Sequence, residues 1–476
     1  MSAPSGLDAV VVGAGDRGYD AYATWYLDHP DRGRVVAVAD PDPGRRSRFA
    51  ERYNLPANRC FASDAELFTQ PQLAPLALVM TGDTYHVTPT VRALEAGYDV
   101  LLEKPVALDV AGCAALLDAA ERTGNVVAVC HVYRFAHVFA ALHEVVRSGA
   151  LGEIVSIQLS ENVAFWHYAH SYVRGHTRSS AVPWLLQKSC HDLDLLCWLA
   201  GSLPERVTSL VRPTELCAVN APAGAPEHCS EGCPHAETCP YDAVAIYQDL
   251  RPLLGDLALH RRPYGVGPAA GALRRTRTSL RKVPVRGLQA RLDWWRWPVS
   301  AVTDDHTPGG LAEALATTRW GRCAWKVGDN DQPSAQTVDV AFANGVLASF
   351  TLQSTSYRSM REFRIDGTKG SAFGMLGALE GELHHADHVT GKVRRIPIPT
   401  ATDGHGGGER PLFEDVLHAL RTGAPPRTSI AAAVPSHVLA YAAMEAAATG
   451  TTVDVGAFAG DVWASLSDPA GGTGRA

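Results

Sequence analysis

The sequence predicts an α/β protein in two parts: an N-terminal parallel, doubly wound sheet, then an α+β part whose strands are mostly antiparallel. Three observations predict it. A glycine-rich turn, Gly13-Ala14-Gly15-Asp16-Arg17-Gly18, follows an apolar run and precedes a helical pattern. Strand-like and helix-like segments then alternate as far as Cys130. Much later, Gln336–Leu352 alternates apolar and polar residues on both sides of Asn344-Gly345, the mark of a type I′ hairpin.

The chain has 476 residues, enough for several domains, and a net charge of −7 gives no electrostatic case for nucleic acid or an anionic membrane. No basic leader or long apolar stretch precedes the first strand, so a cytoplasmic protein is expected. Cys60, Cys113, Cys130, Cys190, Cys197 and Cys323 are scattered among apolar neighbours and read as reduced, buried thiols.

In the glycine turn, Gly13 suits a tight bend, Gly15 a close approach to a pyrophosphate, and Gly18 tight packing of the next helix, Tyr19 to Leu27; Asp16 and Arg17 flank it. The second strand, Val35 to Ala39, ends in Asp40, a carboxylate placed to bond ribose hydroxyls and to repel a 2′-phosphate, which favours NAD over NADP. Arg45 and Arg46 weaken that preference. Ligands of such sheets bind beyond the carboxyl ends of the strands, and polar residues gather there: Thr81 to His86, Glu103-Lys104-Pro105, and His131 to Arg134.

His137 to Ser148 reads as a helix and Glu153 to Ala164 as a strand. Next comes Phe165 to His176, dense in aromatic, His and Arg residues, as expected of a polyol pocket. His167, His170 and Arg174 are the candidate contacts, Arg174 for an anionic substituent. Pro183 to Gly201 reads as a helix from its Pro start and Gly stop, with Gln187, Lys188 and His191 on a bulky face where such groups need partners.

Cys217, Cys229, Cys233 and Cys239 crowd a Pro- and Gly-rich stretch and are candidates for a structural zinc, with His228 or His235 in reserve. Leu250 to Trp297 is basic and interrupted by Pro and Gly, an insertion exposed to solvent or to another subunit. Arg361 to Asp366 and Gly381 to Ile398 extend the antiparallel part, and two helices, Pro411 to Arg421 and Ser429 to Ala448, follow the glycine-rich segment around His405. The expected division is 1–131, then 132–467 with an insertion at about 215–318, then a flexible tail, 468–476.

The glycine turn, the acidic end of the second strand, the segment AGYDVLLEKPVAL and the helix motif HDLDLLCWLAG together resemble the Gfo/Idh/MocA oxidoreductases, over roughly residues 7–210 and 320–450. The resemblance implies a Rossmann domain followed by an α+β domain with a large, open, mostly antiparallel sheet, in a homodimer or homotetramer. It implies that Gly13, Gly15, Asp16, Arg17, Gly18, Asp40, Thr81, His86, Glu103, Lys104, Pro105 and His131 hold NAD. Lys104 matches the lysine that touches both nicotinamide ribose and the reacting hydroxyl, and His191 the histidine that exchanges the hydroxyl proton. The aspartate expected four residues before that histidine is Gln187, and Lys188 beside it is expected to have a lowered pKa from burial and the charge of Lys104. Tyr133, Arg134, His167, His170, Arg174, Gln187 and His405 are the expected substrate contacts.

The function that follows is NAD-dependent hydride transfer at a secondary alcohol carbon of a sugar, glycoside or cyclitol. A redox-neutral glycosidase or lyase, with Tyr168, His170 or Lys188 as an extra base, is the first alternative. A non-catalytic NAD- and sugar-sensing protein is the second.

Overall fold

The computed structural model describes residues 7–175, 181–250, 297–305, 307–328, 330–377, 380–401 and 403–467. Most of the basic insertion, 251–296, and the expected tail, 468–476, lie outside the described residues.

Valine- and alanine-rich runs too apolar for a sheet with a wet face build the first sheet. It has six parallel strands: β1 (Ala9–Val12), β2 (Val35–Ala39), β3 (Cys60–Phe61), β4 (Leu76–Val79), β5 (Asp99–Leu102) and β6 (Val127–Val129), ordered β3-β2-β1-β4-β5-β6. Every residue of β1 and β4 is buried. The order reverses between these two strands, which places the glycine turn after β1 at the crevice where such sheets bind ligands.

The second sheet has nine strands: β7 (Ile154–Ala164), β8 (Pro204–Arg212), β9 (Ala335–Phe342), β10 (Leu347–Ser356), β11 (Met360–Gly367), β12 (Gly370–Gly377), β13 (Gly381–Asp387), β14 (Val393–Ile396) and β15 (Val453–Asp454). Their order is β14-β13-β12-β11-β7-β10-β9-β8-β15, and β7 with β10 is the parallel pair in an otherwise antiparallel ladder. In β10 Ala348, Phe350 and Leu352 are buried while Leu347 and Ser349 are exposed, so one face packs and the other is open. Helices His137–Arg147, Trp184–Ala200 and Ile430–Thr449 pack on strands of this sheet. Ile430–Thr449 is apolar enough in composition to cross a membrane, but it is apolar all round because it is a core helix lying against Trp184–Ala200 and β8.

Two local expectations are corrected. A π-helix, Arg17–Tyr22, followed by a short helix, Thr24–Asp28, replaces the single helix expected after the glycine turn. The β9–β10 turn is not type I′, because Asn344 is not among the described non-glycine residues with positive φ and only Gly345, at +87°, turns left-handed. Gly345 N–H donates to Phe342 O at 2.9 Å, a three-residue loop, while the Asn344 side chain donates to Ala200 O at 2.9 Å and ties the loop to the end of helix Trp184–Ala200.

Candidate active site

The glycine turn is as tight as its spacing requires. A Cβ on Gly13, whose φ is +99°, would meet Met80 O at 2.5 Å, and one on Gly18 would meet Gly13 O at 2.1 Å. A Cβ on Gly15 would meet no protein atom within 4 Å, so this position leaves open the approach that a pyrophosphate would use. Asp40 is buried and its carboxylate accepts from Ala14 N–H and Asp42 N–H, both at 2.8 Å, so it organises the turn as well as ending β2. Arg46 donates to Asp40 O at 2.5 Å, Thr81 to Tyr85 O, and both ring nitrogens of buried His86 face carbonyl oxygens, of Pro105 and Thr81.

Arg17 reaches from the π-helix to Glu103 at 2.6 Å and stands 4.0 Å from Glu409. Burial disfavours the Glu103 carboxylate, yet Arg17 and Lys104 more than offset this and hold it below the usual carboxylate range. Lys104, joined to Pro105 by a cis peptide, donates from Nζ to Gln187 O at 2.8 Å. Burial works against its ammonium, but Cys190, Glu103 and Asp83 outweigh it and keep the pKa above the ordinary lysine value. The Gln187 side chain donates to Asp83 Oδ2 at 2.6 Å, so it joins the loop after β4 to the helix rather than assisting His191.

His191 is buried, and its Nδ1 has no hydrogen-bond partner. Burial first, and then the charge of Lys104, push its pKa well below the imidazole range, so the ring is neutral. Tyr133 meets it edge-on, with centroids 5.0 Å apart, and His131 at 5.6 Å. His131 is buried with neither ring nitrogen bonded. His405 also joins this group: its Nδ1 lies 2.7 Å from Glu409 Oε1 and its ring 5.7 Å from that of Tyr133.

Lys188 corrects an expectation. Burial does oppose its charge, but Glu161 Oε1, 3.1 Å away on β7, more than compensates and raises the pKa above the ordinary lysine value. Glu161 is also 2.9 Å from Arg361, which pairs at 2.6 Å with Asp192, and the Arg361 guanidinium lies 4.0 Å over the Tyr133 ring. Lys188, Glu161, Arg361 and Asp192 thus form one chain of alternating charge, buried except for its half-buried end at Lys188. Glu161 and Arg361 escaped sequence reasoning, although each sits at an inward-facing position of its strand, in step with Leu159 and Phe363, and the β7–β11 register sets them opposite each other.

The remaining expected contacts are bound elsewhere. Arg134 donates twice to Asp194, at 2.6 and 2.7 Å, and to the carbonyls of Arg427 and Ala432. His170 pairs with Tyr247 OH at 2.8 Å and stacks on Trp320, and Tyr168 OH donates to Gln332 O at 2.8 Å. Arg174 is fully buried and donates to Arg322 O and Tyr241 O, against the Cys-rich stretch, which removes the basis for expecting it to read an anionic substituent. His167 approaches Ser359 at 3.3 Å and packs on Trp297. Tyr172, not singled out in the sequence, is buried on the π-helix Ala169–Gly175. Burial raises its pKa while Lys188 and Lys104, both nearby, lower it.

The expected zinc ligands are also revised. Among the described residues no three Cys, His, Asp or Glu side chains stand close enough to hold a metal ion as placed. Cys217 receives a hydrogen bond from Asn220 Nδ2 at 3.3 Å and is not on the wall of the cavity that Cys229, Cys233 and Cys239 line; Cys323 is.

Residues 7–131 match the family described as "Oxidoreductase family, NAD-binding Rossmann fold", and residues 325–455 its C-terminal alpha/beta domain. D-glucoside 3-dehydrogenase of Escherichia coli is 31% identical over 156 residues, which are 32% of this chain and 42% of that protein. 2,7-Anhydro-N-acetylneuraminate hydratase of Escherichia coli is 24% identical over 201 residues, 42% and 51% of the two chains. Such matches span between 36% and 53% of the curated relatives' lengths. A structure of levoglucosan dehydrogenase with NADH and L-sorbose superposes with a TM-score of 0.63 at 17% identity, covering 95% of this chain and 99% of that one.

Proposed function

Because the chain belongs to the Gfo/Idh/MocA oxidoreductase family, we propose that it is an NAD-dependent dehydrogenase acting at a secondary alcohol carbon of a sugar, glycoside or cyclitol. The observation that carries the proposal is a neutral, buried His191 facing the field of a charged Lys104 at the carboxyl edge of the first sheet. A pair in which one member donates and the other is free to accept is what moving a hydroxyl proton requires.

The residues present fit the cofactor: Gly13, Gly15 and Gly18 shape the turn, the Asp40 carboxylate suits ribose hydroxyls and disfavours a 2′-phosphate, and His131 leaves two buried ring nitrogens unbonded near the same edge. When bound, NAD would supply the acceptor or donor of hydride. The chain does the rest. Lys104 has spent one of its three donors on Gln187 O and uses another to orient and polarise the substrate oxygen. His191 takes the hydroxyl proton during oxidation and returns it during reduction. Lys188, held charged by Glu161, is a fixed cation rather than a base. Tyr133, whose ring meets that of His191 edge-on, and His405, whose ring meets that of Tyr133, are the polyol contacts in this reading. In this reading the cofactor domain gives way to the substrate domain near residue 131.

The relative named as a hydratase supports a second reading, in which oxidation is transient and the net reaction is addition or loss of water. Of the extra bases considered for it, Tyr168 is engaged by carbonyl oxygens and Lys188 by Glu161.

The test is to incubate purified protein with NAD and a panel of sugars, cyclitols and glycosides, following NADH absorbance and released product together. NADH accumulation supports the dehydrogenase, and product release that requires NAD without consuming it supports the second reading. Normal turnover by both Lys104→Ala and His191→Ala would refute either.

A further inference from the structure

Three neighbouring ring nitrogens are sealed from solvent with no hydrogen-bond partner among the described residues: both of His131, two residues beyond β6, and Nδ1 of His191. A buried polar atom is costly to leave unpaired, so the question is what each of them bonds when the site works. The two rings meet edge-on, with centroids 5.6 Å apart and planes at 80°. His131 Nδ1 also stands 3.9 Å from Asp194 Oδ2, part of the carboxylate that Arg134 grips twice.

The other polar groups around His131 are committed. His437, whose ring centroid is 5.4 Å away, uses Nε2 on Val106 N–H and Nδ1 on Ala433 O. Arg134 can only donate, and its Nε, Nη1 and Nη2 are all spent on Asp194 and on the carbonyls of Arg427 and Ala432. Two groups remain for His131, the Asp194 carboxylate and the His191 ring.

Polarity then fixes the order. A neutral imidazole has one donor and one acceptor nitrogen, and a carboxylate bound to a guanidinium only accepts. His131 therefore carries its proton on Nδ1, toward Asp194, and keeps Nε2 as an acceptor. His191 Nδ1–H can donate to that nitrogen. This leaves as acceptor His191 Nε2, which is not among the sealed atoms and is the ring nitrogen able to meet a substrate hydroxyl.

We infer that His131 is a positioning residue for His191, in a chain Arg134–Asp194–His131–His191 that holds His191 as its Nδ1–H tautomer; its part in turnover rests on the dehydrogenase reading above. The chain supplies from the end of β6 the orientation that a carboxylate at Gln187 would have given. No hydrogen bond joins the two rings in the free chain, and the contact closes, directly or through one water, when the site is occupied. During oxidation the hydroxyl proton passes to His191 Nε2, while the Nδ1 proton, shared with His131, spreads the new charge toward Asp194.

The experiment uses the full chain labelled with ¹⁵N-histidine, without NAD or substrate, so that it reads the tautomers whether or not any polyol is turned over. Two-bond ¹⁵N–¹H spectra distinguish Nδ1–H from Nε2–H rings, and His131→Gln and His191→Gln assign the two signals by their loss. Both rings should be Nδ1–H. In His131→Phe, which keeps a ring but offers no acceptor, the His191 signal should shift to a mixture of tautomers, and His131→Gln, whose amide oxygen accepts, should restore Nδ1–H. With a substrate found by the polyol panel, His131→Phe should lower kcat by about 10- to 100-fold with KM within about twofold, and His131→Gln should recover most of the loss. A predominantly Nε2–H His191 or His131 in the unaltered chain, or an unchanged His191 signal in His131→Phe, would overturn the inference. Should His131→Phe not fold, the spectrum of the unaltered chain decides by itself.

Discussion

His437 is fully buried on helix Ile430–Thr449, and its two ring nitrogens do opposite jobs. Nε2 accepts from Val106 N–H at 2.9 Å, and Nδ1 faces Ala433 O at 3.0 Å, an arrangement satisfied by the neutral ring with its proton on Nδ1. A second proton would set Nε2–H against Val106 N–H, beside His131, whose ring centroid is 5.4 Å away. Burial, then His131, push the His437 pKa down to about 3. His131 and His191 are depressed well below the ordinary value, in both cases first by burial. In the unfolded chain each histidine titrates near pH 6.5, so below that pH the unfolded state binds more protons than the folded one. The stabilisation is therefore complete above about pH 6.5 and is lost as pH falls toward the folded pKa. Between about pH 7.5 and 5.5 each ring that stays neutral contributes a loss of about 1.4 kcal/mol, or about 4 kcal/mol for the three. His437→Gln isolates one ring, since the amide oxygen can accept from Val106 and does not titrate. Urea unfolding of both proteins at the two pH values should show the gap between them shrinking by about 1.4 kcal/mol on acidification. An unchanged gap would mean that His437 is protonated in the folded protein, and the argument from its two partners would fail.

Three further outcomes are expected. Lys104→Ala should lower kcat/KM for any polyol that the protein oxidises by about 10²- to 10⁴-fold with unchanged circular dichroism, read by NADH formation. Gly15→Ala should leave the unfolding temperature unchanged yet weaken NAD binding, whereas Gly18→Ala, whose Cβ would meet Gly13 O at 2.1 Å, should lower both. Calorimetry with and without NAD separates the two variants. Arg361→Met removes the cation between Glu161 and Asp192, leaves both carboxylates buried, and should cost about 3–5 kcal/mol in urea unfolding.

The first sheet was legible because each of its signals is local: a strand, a glycine turn and a helix lie within a few residues of one another. The hairpin was legible as a hairpin but not in its turn type. Asn344 spends its side chain on Ala200, which is distant in sequence, so the dipeptide alone does not set the backbone angles. Lys104 and His191 could be singled out, yet the environment of Lys188 was read with the wrong sign. The visible neighbours were Lys104 and the helix itself, while the deciding partner, Glu161, comes from β7. Strand parity marks Glu161 and Arg361 as inward-facing, but their pairing depends on a register between segments 200 residues apart.

Helix Trp184–Ala200 carries these long-range choices in one element. Gln187 binds Asp83 and receives Lys104, Lys188 binds β7 through Glu161, Asp192 binds β11 through Arg361, and Asp194 binds Arg134. The helix is thus the mechanical joint between the cofactor edge and the second sheet, and its polar residues are chosen by partners on several different elements. The same logic explains Gln187, which stands where the resemblance implied an aspartate. A carboxylate there would face Asp83, whose Oδ2 is now 2.6 Å from the Gln187 amide nitrogen. Two carboxylates at that separation could not both ionise without a cation between them. Gln187 donates where an aspartate would repel, and the consequence is that His191 lacks a carboxylate partner from its own helix. Its neutrality is therefore set by burial and by Lys104, which makes the lysine the main electrostatic control on the proton chemistry of this helix.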